Sequence, residues 1–371
     1  NMSRPHLFSN IFDENQPSGV ALKNKGLKKV IFNFLDRVDI SSITELSKEL
    51  NISVPKITSL INDLKKEGLI KDEGKIESTG GRKAIMYGLV PDACYFLGVD
   101  VKKYYINIGL INLKKQLVTQ KNRISFKLEN SPESLQKLIS IIKNFIKDLP
   151  SKVKKDKILS MGINLSGRIN NTNGYSYSFF HFQEEPLSNY IENQIGIKTY
   201  LENDSRAMAL GEFYNGEITT EKNVLFLNVD YGVGMGILID GKVYYGKSGF
   251  SGEMGHIPIF ENELICHCGK KGCLETEASG SALIRMFHEK IKHGSTTSLL
   301  KKHKNIKMRK EISGLTVTFS PPIIIRNKEI SKLVIVRVID EPGNKIARAV
   351  VHGYKTVVLW EGDDYTNAGQ W

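Results

Sequence analysis

Apolar positions recur at helical spacing three times in the first seventy residues, then give way to short apolar runs broken by glycine turns. Leu27, Val30, Ile31, Phe34 and Leu35 form the first stripe, over residues 24–36. Residues 42–50 predict a second, short helix. Ser42 and Glu45 stand at capping-box spacing, and Leu46 and Leu50 face inward. Asn51-Ile52 makes the turn. Ser53 is placed to cap a third helix, and Pro55 is tolerated in its first turn, where amide donors have no internal partner. Val54, Ile57, Leu60, Ile61 and Leu64 are its buried stripe, which leaves Lys56, Thr58, Ser59 and Asn62 on an open, solvent-exposed face. Gly68 ends the helix.

Two short helices joined by a tight turn, with small polar side chains on the second, match a helix-turn-helix. Lys56, Thr58, Ser59 and Asn62 are then candidates to reach base edges or phosphates in a major groove. After Leu69-Ile70 and a charged turn at Glu73-Gly74, the segment Ser78-Thr79-Gly80-Gly81-Arg82-Lys83 leads into Ala84-Ile85-Met86-Tyr87. This predicts a two-stranded wing whose Arg82 and Lys83 meet phosphate or the minor groove. A winged helix used only for protein contacts is the plainer alternative. The charged tip and the polar helix face agree on double-stranded DNA.

From residue 94 the pattern changes. Tyr95–Asp100, Tyr105–Leu110, Ile158–Ile163 and Val224–Val229 read as strands, and residues 132–147 as an amphipathic helix carrying Leu135, Leu138, Ile139, Ile142 and Phe145. Asn203-Asp204 opens a further helix running through Glu212. Strands, helices and glycine turns in this order predict an α/β body with hairpins.

Length and composition add bounds. A chain of 371 residues suits two or three domains, and a formal net charge of +12 favours a polyanionic partner without bearing on the fold. No apolar run is long enough to span a bilayer, and the N-terminus lacks the basic-then-apolar order of an export signal, so a cytoplasmic protein without membrane contact is expected.

The chemistry concentrates late in the body. Three of the four cysteines sit in Cys266-His267-Cys268-Gly269-Lys270-Lys271-Gly272-Cys273, and His256 lies ten positions upstream. Three thiolates and an imidazole are the usual soft-ligand set of a closed, structural zinc site, and the two glycines let the chain fold back. Inert thiols or a disulfide are the alternatives. Nearby stand Glu253 and Glu275, and Asn203-Asp204 adds an amide and a carboxylate suited to the hydroxyls of a sugar. Asp204 is placed to act as a base in phosphoryl transfer. Each residue also has a plainer reading: Asn203-Asp204 as a helix cap, Glu253 as a solvated loop residue. Gly232, Gly234 and Gly236 read as a phosphate loop or as a bent strand.

Taken together the motifs resemble the ROK family (repressors, open reading frames, kinases), in its winged-helix NagC/XylR-type repressor branch. The matching strings are GVD at 98–100, GINLSGRIN at 162–170, LENDSRAMALGE at 201–212, DYGVGMGILIDGKVYYGKSGFSGEMGH at 230–256 and CHCGKKGCLE at 266–275. The resemblance covers about residues 20–298. It implies an actin-like, two-lobed body of the sugar-kinase type at 94–298, behind an N-terminal arm at 1–20 and a winged helix at 21–90. It implies that Asn203, Asp204, Glu253, His256 and Glu275 line a site for a sugar or sugar phosphate. His256 then binds zinc through one ring nitrogen and faces sugar through the other. A sugar-responsive repressor of carbohydrate-utilisation genes follows, paired as a homodimer or higher even oligomer to read two half-sites.

The alternative is an ATP-dependent sugar kinase with Asp204 as its base. Against it, the glycine-rich phosphate turn of the family's kinases is replaced by Asp100-Val101-Lys102-Lys103-Tyr104, and their late glycine-rich adenosine motif has no counterpart after residue 300. Residues 299–371 depart from the family. A basic run, Lys301 to Lys310, precedes apolar alternation at 315–319 and 333–338, with further apolar runs at 349–351 and 356–359, an atypical β-rich tail.

Overall fold

A computed structural model describes residues 19–76, 84–182, 184–215 and 221–294, together with five strand segments beyond residue 315. Most of the N-terminal arm, the wing tip with Arg82 and Lys83, and the basic run 301–310 lie outside the described residues. Two compact units result. One joins Asn1–Asn164 with Phe179–Leu201, and the other joins Leu165–Ser178 with Glu202–Trp371.

The first unit begins with helix α1 (Val20–Val38), strand β1 (Ile40–Ser42), α2 (Ile43–Leu50) and α3 (Val54–Lys66). The capping box at α2 is complete: Ser42 Oγ accepts from the Glu45 amide, and the Glu45 carboxylate accepts from the Ser42 amide. Asn51 takes the left-handed conformation that turns the chain towards α3. Ser53 stands at the start of α3, but its side chain makes no capping bond, and only its carbonyl receives the Ile57 amide. Gly68, at φ +70°, closes α3 by letting the Leu69 amide return to the Leu64 carbonyl. Strands β2 (Ile70–Ile76) and β3 (Ala84–Leu89) form the wing, and β1 pairs with β3 to complete a sheet in the order β1-β3-β2.

Two residues expected in the buried stripes are exposed, and Leu27, Phe34 and Leu50 are half-buried. Val30 is 44 % exposed and Val54 47 % exposed. Leu27, Ile31, Phe34 and Leu35 already fill the face of α1 that meets the core, and Val54 sits in the first turn of α3 beyond its edge.

The winged helix is not a separate bead. Ile31, Leu35, Leu46, Ile57, Leu60, Ile61 and Leu64 share one apolar core with Cys94 and Leu113, and Phe96 and Leu159 pack against it. Cys94 precedes β4 (Tyr95–Val101), and Leu113 sits in the turn joining β5 (Tyr105–Asn112) to β6 (Leu117–Ser125). That turn is fixed by Asn112, whose side-chain oxygen accepts the amides of Lys114 and Gln116. Its lysines face α1 and its C-terminal cap: Lys114 Nζ lies 2.7 Å from Asp39 and Lys115 Nζ 2.8 Å from Asp36. Being largely exposed on at least one side, such pairs contribute little beside the apolar contact. The unit continues with α4 (Pro132–Lys147), β7 (Ile158–Leu165), β8 (Ile169–Asn170), β9 (Tyr175–Ser176), α5 (Leu187–Ile195) and β10 (Lys198–Asn203), of which β8 and β9 fall in the second unit. The sheet order is β10-β7-β4-β5-β6, and α4 buries the five apolar residues expected of it.

In the second unit, α6 (Asp204–Asn215) packs on β11 (Val224–Val229) and β12 (Val233–Ile239), with β13 (Lys242–Val243) at one edge. Ala209, Val224, Phe226 and Leu238 form the core. The contact is close because β12 offers glycine. A Cβ on Gly234 would overlap the Ser205 hydroxyl, and one on Gly236 would overlap Ala209 and come within 2.9 Å of the Ser205 carbonyl. Helices α7 (Glu275–Ala278) and α8 (Gly280–Lys292) follow. Beyond them the described segments are β14 (Thr316–Phe319), β15 (Ile323–Ile324), β16 (Leu333–Ile339), β17 (Lys345–His352) and β18 (Lys355–Leu359). β15 pairs with β11, and the other four form an antiparallel sheet.

Two outcomes follow from this packing. Leu113→Ala is expected to cost about 2–5 kcal/mol in urea unfolding, because it opens a cavity in a shared core. The winged helix and the β4–β6 hairpins are expected to lose stability together, read by hydrogen exchange in both. Gly236→Ala is expected to destabilise by about 1–3 kcal/mol or more, since the added methyl meets helix backbone. Gly162→Ala, with open space around its Cβ position, is the matched control.

Candidate functional site

Site residues come from three places in the second unit: the segment before and through the start of α6, the start of β12, and the long irregular connection from β13 to α7. Asn203 caps α6. Its Oδ1 accepts the amides of Ser205 and Arg206, and its Nδ2 donates to the Gly167 carbonyl at 3.0 Å. Asp204 opens the helix, with one carboxylate oxygen on the Ser205 amide and the other accepting from Ser166 Oγ at 2.8 Å. Ser166, which sequence reasoning passed over, thus orients the carboxylate. Its place in the SGR turn at 166–168 was the available signal.

Glu253 and Glu275 reach the same neighbourhood. Burial pushes the Glu253 carboxyl above its ordinary range, the charges of Arg206 and Arg168 oppose this, and the nearby carboxylates of Asp204 and Glu275 add to it. Glu275 is treated differently. Burial disfavours its charge, but bonds from His267 and from the Val233 amide hold it below the usual carboxylate range. The Val233 amide lies 2.9 Å from Oε2, and His267 Nδ1 lies 2.9 Å from Oε1. Gly232 makes room: a Cβ there would overlap the Glu275 carboxylate. All three glycines at 232, 234 and 236 are therefore accounted for by close packing, with Gly234 and Gly236 inside β12 rather than in an open loop.

The cysteine loop folds back as its glycines predict. Gly269 and Gly272 take φ of +87° and +69°, and a Cβ on Gly272 would strike the Phe260 carbonyl. Ligand atoms of His256, Cys266, Cys268 and Cys273 all lie within 4.8 Å of one another. Cys268 and Cys273 sulfurs are 3.7 Å apart, and Cys266 Sγ is 3.4 Å from His256 Nδ1. A tetrahedral ion with metal–sulfur bonds of about 2.3 Å separates its sulfurs by roughly 3.8 Å, so the donor set fits a metal ion such as zinc. Burial raises the Cys266 thiol to about 12, which a bound cation would reverse. The two nitrogens of His256 face different partners: Nδ1 the thiols, and Nε2 the Glu253 carboxylate at 3.7 Å. Cys94, the fourth cysteine, is buried in the core of the first unit, well removed in sequence.

On the winged helix, Ser59 and Asn62 are exposed as expected. Lys56 is only half-buried rather than free, because Nζ donates to Asn24 of α1 at 2.6 Å. Thr58 is half-buried and its hydroxyl turns back to the Val54 carbonyl at 2.8 Å. In the first unit, the stretch that replaces a glycine-rich phosphate turn is a tight β4–β5 hairpin: the Lys102 amide donates to Tyr105, and Lys102 Nζ lies 3.7 Å from Asp100.

Comparison with known proteins agrees with this layout. Residues 33–71 match the model of a winged helix-turn-helix DNA-binding domain, and residues 96–317 match the model of the ROK family. The xylose repressor of Bacillus subtilis (strain 168) is 32 % identical over 270 residues, covering 72 % of this chain and 67 % of that protein. The xylose repressor of Caldicellulosiruptor bescii is 31 % identical over 267 residues, covering 71 % of this chain, and this chain spans 66 % of that protein's length. A crystal structure of a ROK family transcriptional regulator, a homologue of the E. coli MLC protein, superposes with a TM-score of 0.60 at 27 % identity, covering 77 % of this chain and 72 % of that one. Among the described residues no helix is long and apolar enough to cross a membrane. With a winged helix-turn-helix model matched at its start and the ROK model matched over residues 96–317, more than half of the chain, the protein belongs to the ROK family.

Proposed function

We propose that the chain is a sugar-responsive transcriptional repressor of carbohydrate-utilisation genes. One observation carries the reading: a winged helix with exposed Ser59 and Asn62 shares a chain with a body that gathers Asp204, His256 and Glu275 around Glu253. The relatives named as xylose repressors support it. So does the stretch Asp100–Tyr104, which has no glycine to let backbone approach a nucleotide phosphate closely. Under this reading the protein acts by binding rather than catalysis, as a homodimer or higher even oligomer, in the cytoplasm where its operator lies.

Asn203, Asp204, Glu253, His256 and Glu275 hold the sugar or sugar phosphate. Carboxylates accept from neighbouring hydroxyls and His256 Nε2 serves a remaining lone pair, while Asn203 Nδ2, which donates to Gly167 and Asp204, reaches sugar by exchanging its bond to Asp204. Three cysteines and His256 Nδ1 hold zinc, whose part is to keep Glu253 and Glu275 in register on one folded connection. Lys56, Thr58, Ser59 and Asn62 face the major groove, and Arg82 and Lys83 supply the wing contacts to phosphate or the minor groove. Lys56 leaves Asn24 to reach DNA, which costs part of its contribution.

Genomic selection of bound fragments is expected to yield a specific operator. Ser59→Ala/Asn62→Ala is expected to lose discrimination by about 1–3 kcal/mol for each base contact removed, while weak, salt-dependent binding persists. Enrichment of no common sequence, with or without D-xylose, D-glucose or N-acetyl-D-glucosamine present, contradicts the reading.

Metal analysis of protein purified without chelator is expected to give one zinc per chain. Cys273→Ser is expected to lose the metal, speed hydrogen exchange across residues 250–276 and lose sugar binding before operator binding. Less than about half an equivalent in the wild type contradicts a closed structural site.

A further inference from the structure

The largest side chain fully buried among the described residues is a charged one. Arg206 is 1 % exposed, on the first turn of α6, two residues after Asp204. Every part of its guanidinium is engaged. Nε donates to Glu202 Oε1 at 2.7 Å, Nη1 to the Gly249 carbonyl at 2.9 Å and Nη2 to the Ile169 carbonyl at 2.9 Å. Its plane lies 5.4 Å from the Tyr245 ring. Glu202 is itself saturated: Oε1 also accepts the Asn203 amide, and Oε2 accepts from the Tyr245 hydroxyl at 3.1 Å and from Asn171 at 3.3 Å.

The anchors stand close in sequence to site residues on three different segments. Ile169 follows the turn whose Ser166 holds Asp204. Glu202 adjoins Asn203. Gly249 precedes Glu253 by four residues, in a stretch with no strand pairing of its own, at a φ of +78°. No strand partner serves the half-buried Gly249 carbonyl, and the buried Ile169 carbonyl is costly to leave without a donor. The two carbonyls and the carboxylate are met from three separate nitrogens of one planar fork, a spread that the single nitrogen of lysine cannot copy.

We propose that Arg206 is a positioning residue of the sugar site, clamping the segment that bears Glu253 and the turn that bears Ser166 onto the helix that bears Asp204. The clamp acts through backbone carbonyls, so it sets where the acids stand without touching sugar. The inference rests on the sugar-binding reading of Asn203, Asp204, Glu253, His256 and Glu275.

The test uses the zinc-loaded full chain with Arg206→Lys, Arg206→Met and the double variant Glu202→Gln/Arg206→Met. Thermal unfolding, hydrogen exchange, and calorimetric titration with D-xylose, D-glucose and N-acetyl-D-glucosamine are read in parallel. Arg206→Met leaves the largely buried Glu202 charge without its cation, though Asn203, Tyr245 and Asn171 still bond it, and is expected to lower the melting temperature. The double variant removes both charges and is expected to recover most of that loss. Both are nevertheless expected to keep exchange in residues 244–253 at least roughly tenfold faster than wild type, and to bind sugar at least roughly tenfold more weakly. Arg206→Lys is expected to fall between. A double variant with wild-type exchange and wild-type sugar affinity overturns the proposal, because Arg206 then serves stability alone. If the wild type binds none of the three sugars, the sugar reading loses its support, and exchange decides the clamp: unchanged protection of 244–253 in Arg206→Met overturns it. Should Arg206→Met not fold, Arg206→Lys gives the same comparison.

Discussion

A long connection with almost no regular structure, from β13 to α7, has to be held in one conformation for anything else in the second unit to matter. It carries Glu253 and His256, and it delivers Glu275 at its end. Two devices hold it. At one end, three thiols and an imidazole converge to distances that suit a tetrahedral ion. At the other, a buried guanidinium takes the Gly249 carbonyl. Hydrophobic packing cannot do this work. Ile257, Ile259 and Ile265 on the same connection are each at least half exposed. Polar and metal-type ties replace a core where a loop must stay open to a ligand.

The glycines of β12 belong to the same constraint. Helix α6 lies close on β12. Gly234 and Gly236 permit that approach, and Gly232 leaves space for the Glu275 carboxylate. In the first unit the coupling is apolar instead. Leu113 from the body enters the core of the winged helix, so this part of the body and helices α1–α3 share one apolar core.

Much of this was legible from residues alone. Helix 132–147 was readable because its apolar stripe is long and uninterrupted, and the α2 cap because Ser42 and Glu45 have one geometry available at that spacing. The thiol cluster was readable because its ligands lie close in sequence. Harder cases share a cause, which is that their partners are distant in the chain. Val30 and Val54 fit helical periods but lie off the faces that find neighbours. Strand β1 is three residues long and exists only because β3 pairs with it. Ser166, Arg206 and His267 owe their roles to groups that sequence spacing does not place beside them. Lys56 was taken for a free side chain, and Asn24, on another helix, holds it.

The central claim is that sugar and operator compete through one protein. Linkage makes this testable from either side, because a sugar that weakens operator binding by some factor must itself bind more weakly by the same factor when operator is present. The most direct measurement is therefore the sugar dissociation constant of the zinc-loaded protein, with and without saturating operator DNA. The account predicts that operator raises this constant by roughly 5–150-fold, matching the loss of operator affinity caused by saturating sugar. An unchanged sugar affinity in the presence of bound operator contradicts it.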